Sequence, residues 1–161
     1  FTITDTILAT QGQRILNLLL DFLFIYIIIL SVATSIVLIA DVGNAFSVSD
    51  WVETLSWNAI LGYGLLIVFM YYFLTEVYFA RTLAKLVTRT IVVKNDGTKP
   101  SIQMIFIRTV CRFLPLEWLT FLGSIPWGWH DRFSGTYVVQ KKKLGKSMHY
   151  FQHPEEFGKA E

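Results

Sequence analysis

The chain has 161 residues, of which 53% are hydrophobic and only 16% are charged. Soluble domains contain about 25% charged residues, and here the apolar residues are concentrated in long blocks. This composition excludes a disordered protein, and a net charge of +2 provides no basic field for binding nucleic acid. The single cysteine, Cys111, excludes an intramolecular disulfide and a cysteine-only metal site.

Two apolar blocks predict transmembrane helices at about residues 15–40 and 58–80. The first contains one charged residue, Asp21, and no proline or glycine, and the second contains one charged residue before its end, Glu76. A membrane-spanning helix needs about 20 predominantly apolar residues, and both blocks exceed that length. The first block is also longer than the apolar core of a signal peptide.

The distribution of basic residues predicts the orientation of these helices. Of the 14 lysines and arginines, 13 lie at or after Arg81, and the other is Arg14. The connecting loop, residues 41–57, contains acidic residues but no lysine or arginine. Because basic residues are retained on the cytoplasmic side, both termini are expected to be cytoplasmic.

The half of the chain after the second span predicts smaller elements. Residues 90–93 and 136–139 are β-branched tetrads that are expected to pair in a short hairpin-like element, and residues 94–98 are typical of a turn. A helix is expected over about residues 101–113, with Ser101 as its N-cap. Its apolar spacing predicts an amphipathic helix at the cytoplasmic membrane surface, with Arg108 and Arg112 near lipid phosphates.

Two further segments complete the predicted architecture. Residues 116–127 are apolar but cover only about half a span, which favours a re-entrant or interfacial segment. Residues 141–161 are expected to form a charged tail at the surface. The fold class is therefore an all-α integral membrane protein with two transmembrane helices, one amphipathic helix and a small β element.

Asp21 is the most informative polar residue because a charged aspartate inside a span is costly, by about 2.5 to 3.5 kcal/mol. Arg14 and Asn17 share its helix face, and Ser31 and Ser35 continue close to that face, which predicts that the whole polar and small stripe contacts protein. Helical side chains lean toward the N-terminus, so Arg14 is expected to point away from Asp21. The counter-charge is then expected from a later residue, and the candidates are Arg81, Arg108, Arg112 and Arg132, with His130 behind them.

Two interpretations of the intramembrane carboxylates remain open. Asp21 and Glu76 either pair with arginines of the C-terminal half and stabilise the fold, or they bind a cation or share a proton. The structural interpretation is favoured. The same choice applies to the adjacent His130 and Asp131, which either handle protons or fix a turn, and here too the structural role is favoured.

Metal and cofactor sites are not expected. His149 and His153 have the spacing of a two-histidine metal site on a helix, but no carboxylate or cysteine pattern supports it. No motif marks a nucleophilic serine, so an enzyme is not expected. Cys111 is interpreted as an ordinary packed cysteine.

These residues resemble the RDD family of small bacterial membrane proteins. The family is named for an arginine and two aspartates, and Arg14, Asp21 and Asp131 match those positions. Residues 76–85 resemble the family's acidic, aromatic and "GxTxGK" stretch, and residues 92–101 resemble its hairpin. Arg108 and Arg112 resemble its paired arginines, while residues 112–117 and 128–136 are similar to the short, Bacteroidetes-type form. The resemblance covers roughly residues 10–140, so residues 1–140 are interpreted as one RDD-type membrane domain.

The resemblance implies a bacterial inner-membrane location and a loose association with transport, since a few members resemble sodium/proton antiporters. If the roles in those antiporter-like members are carried over, Asp21 would be the carboxylate that binds the ion or proton. Asp131 would be its C-terminal partner and Arg14 the competing cation. Ala80 and Ala84 stand where the family usually has glycine, which puts a glycine-dependent turn in doubt.

Two functional hypotheses follow. The first is an accessory or scaffold subunit that binds a larger membrane assembly, and its charged residues hold the C-terminal half under the two spans. The second is an oligomeric cation/proton exchanger that uses Asp21, Glu76 and Asp131. The expected partners are the lipid bilayer and either a membrane protein or further copies of the chain.

Overall fold

The computed structural model describes residues 2–44, 46–113 and 128–152. It is mostly helical, with one two-stranded sheet. The elements in chain order are α1 (Gln11–Val42), α2 (Phe46–Glu53), α3 (Trp57–Phe79), α4 (Leu83–Val87), β1 (Thr90–Lys94), α5 (Ile102–Cys111), α6 (Trp129–Ser134), β2 (Thr136–Gln140) and α7 (Lys141–Gln152). The segment expected to be re-entrant, residues 116–127, lies outside the described residues.

The two long helices confirm the predicted candidate membrane spans. α1 has 32 residues and α3 has 23, and both are apolar enough to cross a bilayer. Thr10 begins α1 with a capping box, in which Gln13 is the reciprocal partner. At 1.5 Å per residue α1 is roughly 48 Å long, which exceeds the ~30 Å hydrocarbon core.

The two spans pack together over only part of their length. Ile25 of α1 and Tyr71 and Tyr72 of α3 form a buried cluster. Farther along α1 the apolar side chains are exposed, and Leu38, Ile39 and Val42 retain 64%, 72% and 77% of their accessible surface. Such a surface is unfavourable in water and suits contact with lipid. Ser31 and Ser35 also remain exposed, so the expectation that this part of the helix face contacts protein does not hold within the chain.

The two predicted strands do pair, but not as a hairpin. β1 and β2 are antiparallel, with Thr90 opposite Gln140 and Lys94 opposite Thr136. Residues 95–135, which include α5 and α6, separate them, so the hairpin-like interpretation was wrong. The N-terminal segment extends this sheet, because Leu8 forms a bridge with Val139 and the Ala9 amide donates to the Val138 carbonyl at 2.9 Å. Sequence reasoning missed this contribution.

The segment after β2 is not simply a surface tail. Residues 141–152 form α7, and Leu144 is buried with Ile7, Leu8, Val93 and Val139. This cluster ties α7 to the sheet and to the N-terminal segment. The charged-tail interpretation is therefore corrected for residues 141–152, and residues 153–161 lie outside the described residues.

α5 forms where it was expected, but Arg108 and Arg112 point into the protein and not toward the membrane surface. Arg108 is fully buried, whereas Ile102, Phe106 and Val110 are exposed. Phe106 packs against Phe69 of α3 with ring centroids 6.0 Å apart. The helix therefore lies along the final turns of α3 with an apolar outer face. The expectation that Arg108 contacts lipid phosphates was wrong, because buried carboxylates hold it inside the protein.

α3 ends in a left-handed residue, as many helices do, but that residue is an alanine. Ala80 has φ 55° and ψ 24°, and its amide donates to the Glu76 carbonyl at 2.9 Å. Its own carbonyl accepts from the Val92 amide at 2.9 Å, which ties the end of the span to β1. The turn that glycine usually makes in such a position is thus retained here, with backbone strain that glycine would not carry.

Replacing Ala80 with glycine should therefore stabilise the protein. The expected gain is about 1 kcal/mol, because glycine adopts the left-handed conformation without the steric cost of Cβ. Ala84→Gly is the matched control, since Ala84 lies inside α4 and the same change there should cost about 1 kcal/mol. Unfolding in detergent, followed by circular dichroism, measures both. A loss of stability for Ala80→Gly would contradict the claim that the left-handed conformation of Ala80 strains the backbone.

Candidate functional site

The site is a group of buried charges where α1, α3, α4, α5 and α6 meet. In the described part of the chain six Lys, Arg, Asp and Glu side chains make ion pairs there, and they are called the charge network below: Arg14, Glu76, Lys85, Arg108, Arg112 and Asp131.

Arg108 of α5 is the centre of the charge network. Its Nε donates to Glu76 Oε2 at 2.9 Å, and its Nη1 donates to Asp131. The same Nη1 lies 2.5 Å from Thr136 Oγ1. All of these groups are buried. One guanidinium therefore connects the second span, α6 and the start of β2, which the planar, multidentate geometry of arginine permits.

Glu76, near the end of α3, is surrounded by cations. Besides Arg108 it accepts from Lys85 Nζ at 2.6 Å and from Arg112 Nη2 at 3.1 Å. The Arg112 guanidinium also lies over the ring of Tyr72, 4.3 Å from its centroid. A fully buried carboxylate is costly unless it is paired, and three partners compensate that cost.

Asp131 of α6 binds the first span to the C-terminal half. It accepts from Arg14 Nη1 at 2.5 Å and from Arg108. His130 Nε2 lies 3.2 Å from the same carboxylate. Despite complete burial, these cationic and hydrogen-bonding neighbours hold the pKa of Asp131 well below its usual range. The arginine-binding interpretation of Asp131 therefore matches the geometry, and Arg14 does point away from Asp21 as expected.

Asp21 differs from the other two carboxylates. Its Oδ1 accepts from the Tyr71 hydroxyl at 2.7 Å, and its Oδ2 accepts from the Thr82 hydroxyl at 2.9 Å. Within the described part of the chain no cation lies within 4.0 Å of it. The expected direct ion pair with an arginine is therefore not made in the described residues, although Arg112 lines the same cavity and attracts the Asp21 carboxylate from a longer distance. Arg108 and Arg112 are already bound by Glu76 and Asp131, and neutral hydroxyl groups donate to Asp21 instead.

A neutral hydrogen-bond chain lies beside these charges. Asn17 donates to Thr90 Oγ1 at 3.2 Å and accepts from the Thr88 hydroxyl at 2.5 Å. This chain attaches the first span to Thr88, just after α4, and to Thr90, the first residue of β1. It explains why the polar face of α1 begins with Arg14 and Asn17: each of these side chains binds a different part of the later half.

A small cavity of about 30 Å³ lies between α1 and the charge network. Its polar lining residues are Arg14, Asn17, Asp21, Lys85, Arg112 and His130. That volume is enough for about two water molecules and is too small for an organic substrate. The arrangement can hold water, a proton or a small ion next to Asp21.

Burial lowers the pKa of two groups that face this cavity. Desolvation brings the pKa of His130 to about 3, although the neighbouring Asp131 opposes the shift. His130 is therefore neutral at pH 7. Desolvation also lowers the pKa of Lys85 to about 8, against the favourable charge of Glu76. Lys85 therefore titrates closer to neutral pH than an ordinary lysine does.

Sequence reasoning found most of the site but missed some of its members. Lys85, Tyr71 and Thr82 were not among the candidates, although Thr82 and Lys85 lie within the segment that resembles "GxTxGK". Of the predicted partners, Arg81 and Arg132 make no ion pair in the described part of the chain. Arg132 is exposed. His153 lies outside the described residues, so the spacing of His149 and His153 is not tested.

Comparison with known proteins adds one match. A protein-family model described as the RDD family matches residues 8–144. Searches of the curated proteins and of the solved structures found no match to the chain. The matched segment contains every residue of the charge network, and it extends into α7.

Removing Arg108 should be strongly destabilising. Arg108→Gln leaves Glu76 and Asp131 buried with fewer cations, and breaking a buried pair typically costs 3–5 kcal/mol. Arg132→Gln is the control, because it removes the same charge at an exposed position, and its effect should stay within about 0.5 kcal/mol. Denaturant unfolding in detergent measures both. Equal small effects would show that the charge network contributes little.

His130 should make the protein less stable in acid. Its pKa is about 6.5 when unfolded and about 3 when folded, so between these values only the unfolded chain binds the proton. The His130 contribution to stability is complete above pH 6.5 and is lost as the pH falls toward 3. His130→Asn should flatten the dependence of stability on pH between 6.5 and 4. An unchanged slope would contradict a buried, neutral histidine.

Proposed function

The chain belongs to the RDD family of membrane proteins, and on that premise we propose that it is an accessory or scaffold subunit of a larger membrane assembly. The observation that supports this proposal best is that Glu76 and Asp131 are occupied by cations of the same chain. Their charges are used to hold the C-terminal half against the two spans. They are not available as a pair to bind a transported ion.

The surface of the spans supports the same proposal. A pathway with alternating access needs several helices around a central site, and two spans cannot enclose one. Beyond the Ile25–Tyr71–Tyr72 cluster, the outer halves of α1 and α3 expose apolar side chains. The exposed Ser31 and Ser35 and the open surface at Gly62 and Gly64 would allow close approach of another membrane helix.

The proposed placement is the bacterial inner membrane, with both termini in the cytoplasm. The basic residues after Arg81 and the connecting segment without lysine or arginine support this orientation. α5 then lies in the cytoplasmic leaflet beside α3, with its exposed Ile102, Phe106 and Val110 toward lipid.

Purification from its native membrane in mild detergent tests the proposal. The tagged chain, expressed at its natural level, should elute in stoichiometric amounts with a larger membrane assembly. Ser31→Leu should weaken that association, because it fills the small-residue face, whereas Ala33→Leu on a different face of α1 should not. Elution of the chain alone, or only as copies of itself, would contradict the accessory role.

A second candidate, an oligomeric cation/proton exchanger, rests on Asp21. Its carboxylate makes no ion pair in the described part of the chain and borders a polar cavity. A carboxylate in that position can release a proton and accept a small cation without breaking the charge network. Copies of the chain would have to supply the remaining pathway.

Asp21→Asn distinguishes the two candidates. An asparagine side chain cannot accept hydrogen bonds well from both the Tyr71 and the Thr82 hydroxyls. If Asp21 is structural, the substitution should therefore lower the free energy of unfolding by about 1–3 kcal/mol. An exchanger would remain folded but lose ion-dependent proton transport in reconstituted vesicles. Thermal unfolding of the protein and the pH inside reconstituted vesicles, which a dye reports, are measured on the same preparation. Tyr71→Phe is the matched variant, since it removes one hydrogen bond but keeps the carboxylate.

A further inference from the structure

A basic groove lies outside the charge network, between α4, the loop before β1 and the start of α7. Its volume is about 470 Å³. Two of its seven lining residues are Leu86 and Gly145, and the others are all basic: Arg81, Arg89, Lys141, Lys142 and Lys146. This size falls in the range of sites for small ligands. A groove with five basic side chains in its lining favours the binding of an anion.

The groove lies at the level where a bilayer surface is expected. Arg81 follows the end of the second span at Phe79 by two residues. Leu86 lines the groove and is exposed, and the neighbouring Val87 retains 62% of its accessible surface. Apolar side chains next to a cluster of cations are typical of contacts with the headgroup and upper acyl region of lipids.

The backbone keeps the two basic walls together. The Lys141 amide donates to the Arg89 carbonyl at 3.0 Å, which joins the start of α7 to the loop before β1. The Arg81 Nε is buried and donates to no acceptor in the described part of the chain. Arg81 itself is only partly buried and lines the groove, so the guanidinium lies within reach of a bound anion.

The start of α7 adds a second electrostatic feature. Its first three residues are all lysines, and its first turn contains no acidic residue. A helix begins at the positive end of its dipole, where cations are unfavourable and anions are favourable. In the chain alone the three lysines therefore repel one another and the positive end of the helix dipole. An anion bound there would make this arrangement favourable.

We propose that this groove binds the phosphate headgroup of an anionic phospholipid. Arg81 and Arg89 would contact the headgroup from the side of the spans, and Lys142 and Lys146 from α7. The acyl chains would then lie against Leu86 and Val87. Bound lipid would fix α7 and the sheet at the membrane surface, independently of whether the protein is an accessory subunit or an exchanger.

Lipid titration of the purified full chain in mild detergent tests this site by native mass spectrometry. Phosphatidylglycerol should bind more tightly than phosphatidylcholine. Lys142→Gln combined with Lys146→Gln should weaken phosphatidylglycerol binding by roughly 20- to 30-fold, as expected for two lysines near an anionic headgroup. Circular dichroism confirms that the variants keep their helices.

The matched control removes two cations outside the groove. Lys99→Gln combined with Arg132→Gln has the same change in net charge, and it should alter phosphatidylglycerol affinity less than twofold. Equal losses in both double variants would show that net charge, and not the groove, attracts lipid, and would overturn the proposal. Unchanged affinity in the groove variant would overturn it as well. Binding of inorganic phosphate without binding of phosphatidylglycerol would assign the groove to a free anion.

Discussion

The bridging of Glu76 and Asp131 by Arg108 is the interaction on which the rest of the structure depends. It joins the end of the second span to α6, and through Asp131 and Arg14 it reaches the first span. Charges buried at such a depth are unfavourable unless each one is paired. The network therefore makes the position of the C-terminal half conditional on both spans being in place, and the hydroxyl contacts of Asn17 and Asp21 add to the same junction.

The same constraint separates the three carboxylates by role. Glu76 and Asp131 are each held by cations, whereas Asp21 is held by Tyr71 and Thr82 and borders a cavity. Only Asp21 is placed where its charge can change without breaking an ion pair. The proposed accessory role and the exchanger alternative therefore share the same charge network. They differ in whether the Asp21 carboxylate exchanges a proton or a cation.

Sequence patterns were sufficient for the parts of the fold that depend on local chemistry. Long apolar blocks predicted the two spans, Ser101 correctly marked the start of α5, and the paired β-branched tetrads became β1 and β2. Patterns failed where long-range contacts decide the outcome. Helical spacing placed Arg108 on a lipid-facing surface, because its carboxylate partners lie 32 and 23 residues away in the chain. Lys85 was missed although Glu76 is only nine residues away, because the two side chains lie on different helices. The role of residues 3–9 in the sheet left no local signal.

A double-mutant cycle on Arg14 and Asp131 tests this central interaction most directly. The two residues are 117 positions apart, and their contact connects the first span to α6. Unfolding free energies in detergent are measured for Arg14→Gln, for Asp131→Asn and for the double variant. If the buried contact holds the two halves together, the two substitutions should be coupled by about 0.5–3 kcal/mol. Strictly additive effects would contradict it, because residues that do not interact show no coupling.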